Sequence, residues 1–383
     1  MRKLAAGLML ALGLTTAAQA ADPVRVGVVI SETGPGASLG IPEGRSIRLL
    51  PREIEGRPIE WIVLDDGSDT TRAVTNMRKL ISDNRVDAII GSTVTPASIA
   101  MVEVAAEQRI PMISLAGSAA IVTPVDERRR WVFKTAQNDA LMAGAVVEHM
   151  AAAGVKSLGV IAVSDSYGDG WLGIMAPLLE ARGIRVVATE RYARTDTSAT
   201  GQTLKVLSAR PDAVFIISAG TPAALPAKAL RERGYRGPMY QTHGVANADF
   251  LRVGGRDVEG TVLPVAPVTV ADQLPENHPS RTIARQYRDA YEAAHGANSV
   301  SAFGSYAYDA GLLLQRALPV ALRTAQPGTP EFRTALRDAL EGLRDVTYVN
   351  GVANMSATDH VGQDERARVM AIIKDGTWQA LPR

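Results

Sequence analysis

The sequence predicts an α/β protein with two doubly wound parallel-sheet lobes joined by three crossing segments. Short apolar runs rich in β-branched residues alternate with segments whose apolar residues recur at helical spacing, which is typical of a parallel sheet covered on both faces. The alternation occurs twice, before and after residues 133–135, and 383 residues are enough for two lobes of ordinary size. The fold class rests on these observations.

The first series of elements lies between residues 24 and 115. The predicted strands are 24–30, 59–64, 86–90 and 111–115, and the predicted helices are 41–53, 70–82 and 96–108. The strands are continuously apolar rather than alternating, so we expect both faces of this sheet to be buried.

The second series repeats this order. The predicted strands are 157–163, 184–190, 213–218, 238–241 and 258–267, and the predicted helices are 141–153, 167–182, 200–209 and 222–233. Helices at 280–294, 302–317 and 331–343 and a strand at 369–373 follow.

The chain is expected to cross between the lobes three times, near residues 136–139, 264–268 and 346–351. Lobe 1 is then 21–137 with 267–346, and lobe 2 is 138–266 with 347–383. Ligands of open α/β sheets bind outside the carboxyl ends of the strands, so these positions predict a ligand cleft between the lobes.

Composition excludes several kinds of site and partner. The chain has 41 Lys and Arg against 40 Asp and Glu, a net charge of +1, which argues against a nucleic-acid partner. It contains no cysteine, which removes disulfides, thiolate nucleophiles and cysteine-ligated metals. The histidines do not lie at metal-ligand spacing, so neither a metal nor a cofactor is expected.

The first 20 residues read as a secretory signal peptide. Arg2 and Lys3 precede an apolar stretch too short to span a membrane, and Ala18-Gln19-Ala20 is a small-residue cleavage site. An uncleaved helix is the weaker alternative. Ala21 stands where a lipoprotein would carry cysteine. We therefore expect a periplasmic protein, cleaved after Ala20, with neither a lipid anchor nor direct membrane insertion.

A glycine-rich turn raises the alternative of dinucleotide binding. Gly34, Gly36 and Gly40 lie between a predicted strand and helix, and Asp65 ends the next strand. The third glycine comes one residue late, and prolines interrupt the turn and the helix start. A turn that shapes the edge of the cleft is the favoured interpretation.

Hydroxyl side chains follow two neighbouring strands of the first lobe. Residues 91–96 supply Ser92, Thr93 and Thr95, and Thr95 before Pro96 is a predicted helix N-cap. A helix N-terminus favours an anion, so a carboxylate could dock there, although Thr95 could simply cap its own helix. Residues 114–118 end the next strand with Ser118. Hydroxyls without a catalytic base favour binding over catalysis.

Two residues of the second lobe are candidates for the opposite wall. Tyr167 follows a strand and opens a helix, from which it could reach across a cleft. His243 follows the strand at 238–241. A single histidine is more often structural than ligand-binding, and both interpretations stay open on the sequence.

The order and spacing of several segments resemble the branched-chain amino-acid type of periplasmic solute-binding protein, the receptor component of ABC importers. The resemblance covers essentially the whole mature chain. The segments that carry it are VGVVISETGPGASLG, IIGSTVTPASIAMVEVAAEQRIPMISLAGS, DSYGDGW, QTHGVAN with EGT, SYAYDA and GVANMSATDHVGQ with DGTW. The family implies two lobes that close like a hinged trap, no enzyme activity, a membrane permease as partner and a monomer.

The resemblance also implies where the ligand binds. Its carboxylate would be held at the helix start of Thr95 and by Ala116 and Ser118. Tyr167 would cover the ligand from the second lobe. Leu39 and Phe303 fall near positions that line the side-chain pocket.

Two departures from the family bear on the ligand. His243 stands where amino-acid binders carry an acidic partner for the α-ammonium group, and Ala219-Gly220 stands where they often carry tyrosine. A buried ammonium without a partner is costly, so a carboxylate lacking an α-ammonium is favoured, an aromatic acid among them. A branched-chain or other hydrophobic amino acid is the alternative. An exported hydrolase or oxidoreductase would need a nucleophile, base or cofactor motif that the sequence does not show.

Overall fold

The computed structural model describes residues 22–382. The predicted signal peptide and its cleavage site lie outside these residues. Within them the chain forms two sheets, each with helices on both faces, and a small two-stranded hairpin. The predicted α/β class with two parallel-sheet lobes is confirmed.

The first sheet has six strands in the order β2-β3-β1-β4-β5-β6. Their bounds are β1 Val24–Ile30, β2 Glu53–Ile54, β3 Arg57–Asp65, β4 Ala88–Gly91, β5 Met112–Ser114 and β6 Val132–Lys134. All pairs except β2 with β3 are parallel. Since β1 lies between β3 and β4, the strand order reverses beside β1, where ligands of such sheets bind.

Helices α1 Ala37–Ile47, α2 Thr70–Ser82 and α3 Thr95–Glu107 connect these strands. Helix α1 lies N-terminal to the range predicted from the sequence, because the turn after β1 leads directly into the helix at Ala37. Three later helices are α9 Arg281–His295, α10 Ala302–Leu322 and α11 Pro330–Glu341, and α10 packs against α1. Helix α10 continues beyond its predicted end at residue 317 and contains Pro319.

The second sheet has seven strands in the order β15-β14-β11-β10-β9-β7-β8. Their bounds are β7 Ser157–Val163, β8 Arg185–Tyr192, β9 Ala213–Ile217, β10 Met239–Gln241, β11 Val262–Val265, β14 Val369–Lys374 and β15 Thr377–Ala380. Its helices are α4 Asp139–Ala152, α5 Ser166–Ala181, α6 Thr200–Ser208, α7 Ala224–Glu232 and α8 Ala248–Gly254. Strands β7 to β11 are parallel, so the loops after β7, β9 and β10 meet at one edge.

The crossing regions are held by buried polar contacts. The Tyr306 hydroxyl donates to Gln137 Oε1 at 2.7 Å, and Gln137 Nε2 donates to the Ala367 carbonyl at 3.0 Å. The hairpin of β12 Val346–Tyr348 and β13 Gly351–Ala353 precedes His360, whose carbonyl accepts the backbone N–H of Lys134. The predicted lobe boundaries stay a prediction, and this contact favours a third crossing after residue 360.

Candidate functional site

A narrow cavity lies between the loops at the carboxyl ends of the two sheets. The first lobe and the crossing segments supply Leu39, Thr93, Val94, Thr95, Leu115, Ala116, Gly117, Ala136, Phe303 and Tyr306. The second lobe supplies Tyr167, Arg194, Ala219, His243 and Gly244. Most of the residues predicted from the sequence therefore meet at one place.

The start of α3 forms one wall. Val94, in an extended conformation, is the N-cap, and Thr95 is the first helical residue. The prediction that Thr95 is the N-cap is therefore wrong: the chain turns into the helix one residue earlier, and no side chain caps this end. Because the first N–H groups of a helix have no partner within it, this end still favours an anion. The buried Thr95 side chain lines the cavity beside it.

The hydroxyls of Ser92 and Thr93, in the loop after β4, make hydrogen bonds within the protein. Ser92 Oγ donates to Asp66 Oδ2 at 2.6 Å, and Ser92 does not line the cavity. Thr93 lines it, but its hydroxyl donates to the buried carboxyl of Glu43 and accepts the Ser31 N–H. Burial raises the pKa of Glu43 well above its usual value. These contacts fix the loop rather than leaving both hydroxyls for a ligand.

The loop after β5 contributes backbone more than side chains. Ala116 lines the cavity, with its N–H donated to Ser114 Oγ at 3.2 Å. Ser118 Oγ accepts the Ala120 N–H at 3.3 Å and caps a short helical turn. Ser118 is not part of the lining, unlike the position implied by the resemblance.

Tyr167 is the largest aromatic residue that the second lobe contributes to the cavity wall. Tyr167 opens α5, whose N-cap Asp165 accepts its N–H, and its hydroxyl donates to Thr242 Oγ1 at 2.9 Å. Burial raises the pKa of Tyr167 well above its usual value, so the phenol stays protonated. Trp171 stands behind it, with ring centroids 6.3 Å apart.

His243 is buried at the end of β10, with 3% of its surface exposed. Its Nε2 lies 3.9 Å from Asp139 Oδ1, and its Nδ1 has no hydrogen-bond partner among residues 22–382. Burial, with a smaller contribution from the Lys134 charge, lowers the pKa of His243 to about 3. The ring is therefore neutral at neutral pH and can both donate and accept a hydrogen bond.

Arg194 is a lining residue that the sequence analysis missed. Its Nε donates to Asp165 Oδ2 at 2.6 Å and its Nη1 to the Ala219 carbonyl at 3.2 Å. The guanidinium carbon stands 5.9 Å from the centre of the Tyr167 ring. An arginine in the loop after an edge strand carries no motif, so only the fold reveals that it reaches the cavity.

Lys134 and Asp139 are two further charged residues that the sequence did not single out. Both are fully buried behind the loop after β5. Burial raises the pKa of Asp139, while the Lys134 charge and the nearby Trp171 indole oppose that shift. Neither carboxylate oxygen of Asp139 has a hydrogen-bond partner within the described part of the chain.

Gly220 lies where the two lobes touch beside the cavity, although it is not a lining residue. Its φ is +69°, and a Cβ there would lie 2.9 Å from Ser38 Oγ. The next residue, Thr221, donates its N–H to the same Ser38 oxygen. Leu39 beside it and Phe303 at the start of α10 are buried lining residues, as expected.

Residues 22–382 hold no group of three or more His, Asp or Glu side chains placed to bind a metal. Among the same residues, no helix has the length and apolar character needed to cross a membrane. The glycine-rich turn after β1 is a short helical turn at Gly34–Gly36. Asp65 accepts hydrogen bonds from the Thr33 N–H and hydroxyl, so this carboxylate fixes the turn.

Comparison with known proteins agrees with this architecture. The sequence model of the periplasmic binding protein family matches residues 23–377. A solved extracellular ligand-binding receptor from Rhodopseudomonas palustris HaA2 is 43% identical, with a TM-score of 0.91, over 94% of this chain and 100% of that one. The Leu/Ile/Val-binding protein homolog 3 of Brucella melitensis is 21% identical over 66% of this chain and 69% of its own length.

A more distant structure shares the fold. It is a solute-binding protein of an ABC transporter from R. palustris in complex with benzoate, 22% identical, with a TM-score of 0.80 over 94% of this chain and 96% of that one. The family match, the fold and the position of the cavity between the two sheets all indicate the same family. The chain belongs to the periplasmic binding protein family, whose members are solute-binding receptors with an extracytoplasmic location.

Proposed function

We propose that this protein captures a small carboxylate lacking an α-ammonium group, an aromatic acid in particular, between its two lobes and delivers it to an ABC import permease. The observation that carries the proposal is the charge of the cavity lining, which includes Arg194 but neither aspartate nor glutamate. An ammonium group buried against such a lining would lack a counter-ion, which costs several kcal/mol, roughly, whereas a carboxylate finds a cation there.

Two features of the lining suit an anion. The N-terminus of α3, with the Thr95 side chain beside it, faces the cavity and favours negative charge. Arg194 approaches from the second lobe, and because its Nε and Nη1 donate to Asp165 and to the Ala219 carbonyl, its Nη2 is the nitrogen left to donate to a carboxylate. Closure of the lobes would bring both features against one ligand.

The remaining walls suit a flat apolar body. Leu39, Leu115, Phe303 and the ring of Tyr167 are buried lining residues. Aromatic rings favour offset or edge-to-face contacts with another ring. The R. palustris protein of the same fold that holds benzoate is consistent with this ligand class.

A branched-chain amino acid is the second candidate, and a specific contact favours it. Asp139, although not a lining residue, has unpartnered carboxylate oxygens close to Gly117, which does line the cavity. A Leu/Ile/Val-binding relative is consistent with this alternative. A hydrolase or oxidoreductase finds no comparable support, since the family consists of receptors.

Titration calorimetry of the purified protein with benzoate, 4-hydroxybenzoate, leucine and valine tests the proposal. We expect saturable heat, with a Kd in the micromolar range or tighter, for at least one of the acids and none for the amino acids. Tight binding of leucine or valine without a response to either acid would instead establish the second candidate. The protein should first be unfolded in guanidinium and refolded, because this removes ligand carried over from purification.

A further inference from the structure

Gly117 forms the thinnest part of the cavity wall. It lines the cavity, and a Cβ on it would lie 2.9 Å from both Asp139 Oδ1 and His243 Nε2. The absence of a side chain therefore lets a ligand approach the backbone here, with a carboxyl group and an imidazole directly behind. Any charge behind this residue acts on the ligand at short range.

The carbonyl of Gly117 is already occupied by an ammonium group of the protein. Lys134, at the end of β6, is completely buried, and its Nζ donates to Gly117 O at 2.5 Å and to Gln137 O at 3.3 Å. Both acceptors are neutral carbonyl groups. The positive charge thus lies beside the cavity without a directly hydrogen-bonded carboxylate among the described residues.

We propose that Lys134 sets the charge selectivity of the cavity, so that the protein takes acids and rejects their α-amino counterparts. Its ammonium donates to the carbonyl oxygen to which a ligand ammonium could otherwise donate, and its charge repels a second cation while attracting an anion. This inference rests on the proposed function, because it explains how a cavity beside a buried aspartate selects an acid.

Because Asp139 lies beside the cavity, the charge that a ligand meets there depends on whether Lys134 is present. Its unpartnered carboxyl group would favour a cation if it carried its full charge. Burial raises its pKa, and burial lowers the pKa of Lys134 only to about 8, so the lysine is still mostly charged at neutral pH. With Lys134 in place, the pair formed by Lys134 and Asp139 does not carry a net negative charge. Without Lys134, the Gly117 carbonyl would keep only the Asp139 N–H as a donor, at 3.3 Å, and together with the Asp139 carboxyl group it would form a site for an ammonium.

Two pairs of ligands that differ only in the α-ammonium test the inference by calorimetry: 3-phenylpropanoate with phenylalanine, and 4-methylpentanoate with leucine. We expect the wild type to bind an acid at least tenfold more tightly than its amine-bearing partner. In Lys134→Met we expect this preference to shrink by roughly tenfold or to reverse. Adding Asp139→Asn to this variant should abolish whatever affinity for the amine it gained.

Lys134→Gln and Lys205→Gln are the accompanying variants. The glutamine keeps a donor for Gly117 O without the charge, and it still tests the inference if the methionine variant does not fold. Lys205 is an exposed lysine paired with Glu190, so its replacement should leave the preference unchanged. Folding is checked by near-ultraviolet circular dichroism.

The outcomes separate the two proposals. If acids bind but both Lys134 variants keep the wild-type preference within twofold, the role of Lys134 is overturned while the proposed function stands. Tight binding of an amine-bearing partner by the wild type also overturns it. If benzoate or 4-hydroxybenzoate binds but no ligand of either pair does, the role of Lys134 is overturned and the proposed function stands; if these two acids also fail to bind, both proposals fail.

Discussion

The backbone N–H of Thr221 donates to Ser38 Oγ at 3.2 Å, and this hydrogen bond joins the two lobes directly. Ser38 belongs to α1, which packs on the first sheet, and Thr221 follows β9 of the second sheet. Gly220, beside Thr221, comes so close to Ser38 that a methyl group would not fit without movement. Because the two residues belong to elements of different sheets, we expect this contact to form when the cleft closes and to break when it opens.

Gly220→Ala should weaken ligand binding by hindering this closure. The new Cβ would lie 2.9 Å from Ser38 Oγ, so we expect a roughly tenfold higher Kd, mainly through faster ligand release measured by stopped flow. Gly376→Ala is the matched control, because Gly376 has the same φ of +69° but no atom within 4 Å of a Cβ. Both variants should lose about 1 kcal/mol of stability from backbone strain. Equal ligand release in both would contradict the role of the contact.

Arg194→Gln should weaken binding of an acid and reduce the dependence of affinity on salt. The guanidinium is the charged group among the lining residues, and its loss removes a cation from the ligand's reach. We expect a Kd at least tenfold higher, with a flatter ionic-strength profile between 50 and 500 mM salt, roughly. Arg191→Gln is the control, since Arg191 pairs with Asp169 and does not line the cavity.

The outcome that contradicts this prediction is a loss of affinity of the same size in both arginine variants. It would mean that the charge of the second lobe as a whole, rather than contact with Arg194, attracts the ligand. Since Arg194 also pairs with Asp165, thermal unfolding of the free protein should accompany the titration. A fall in affinity without a comparable fall in Tm assigns the effect to the ligand.

His243→Ala should weaken capture of the ligand markedly, because the neutral imidazole is a buried polar group on the wall of the cavity. Loss of one buried hydrogen bond costs about 1–3 kcal/mol, which corresponds to a Kd roughly five- to 150-fold higher. His243→Gln keeps a donor and an acceptor and should recover part of that loss. Unchanged affinity in the alanine variant would place His243 outside the binding contacts.

The strand pattern of the sequence could identify those residues of the cavity that follow an apolar strand, and it could not identify the others. Thr95, Tyr167 and His243 come directly after strands whose apolar runs are unmistakable in the sequence, so the rule for parallel sheets places them near a cleft. Lys134 and Asp139 flank a crossing segment, where a charged residue normally indicates solvent. Only the packing of that segment against the loop after β5 buries them.

Where the structure differs from expectation, the physical causes are similar. Ser92 and Ser118 were expected to face the ligand because they follow strands, but neither lines the cavity: the Ser92 hydroxyl donates to Asp66, and the Ser118 oxygen accepts the Ala120 N–H. Side-chain oxygens of serine bind whichever partner the local backbone offers first, and the sequence does not show that partner. The same is true of α3, where the backbone turns at Val94 although Thr95 is the better capping residue.

Protonation of His243 should by itself lower the stability of the protein between neutral and mildly acidic pH. Burial lowers the pKa of His243 to about 3 in the folded protein, below the ordinary value of 6.5, so the unfolded chain binds the proton first as the pH falls. Its contribution is therefore fully present above pH 6.5 and is lost as the pH decreases towards 3. Between pH 7 and 5 the loss amounts to about 2 kcal/mol for this residue alone.

Asp139 acts in the opposite direction over part of this range. Its raised pKa means that the folded protein binds a proton there before the unfolded chain does, so its contribution increases as the pH falls. Urea unfolding of the wild type, His243→Gln and Asp139→Asn at pH 7 and pH 5 separates the two. We expect the stability at pH 5, relative to that at pH 7, to be higher than the wild-type value in His243→Gln and lower in Asp139→Asn. The same change in all three proteins would mean that neither buried group controls the acid sensitivity of the fold.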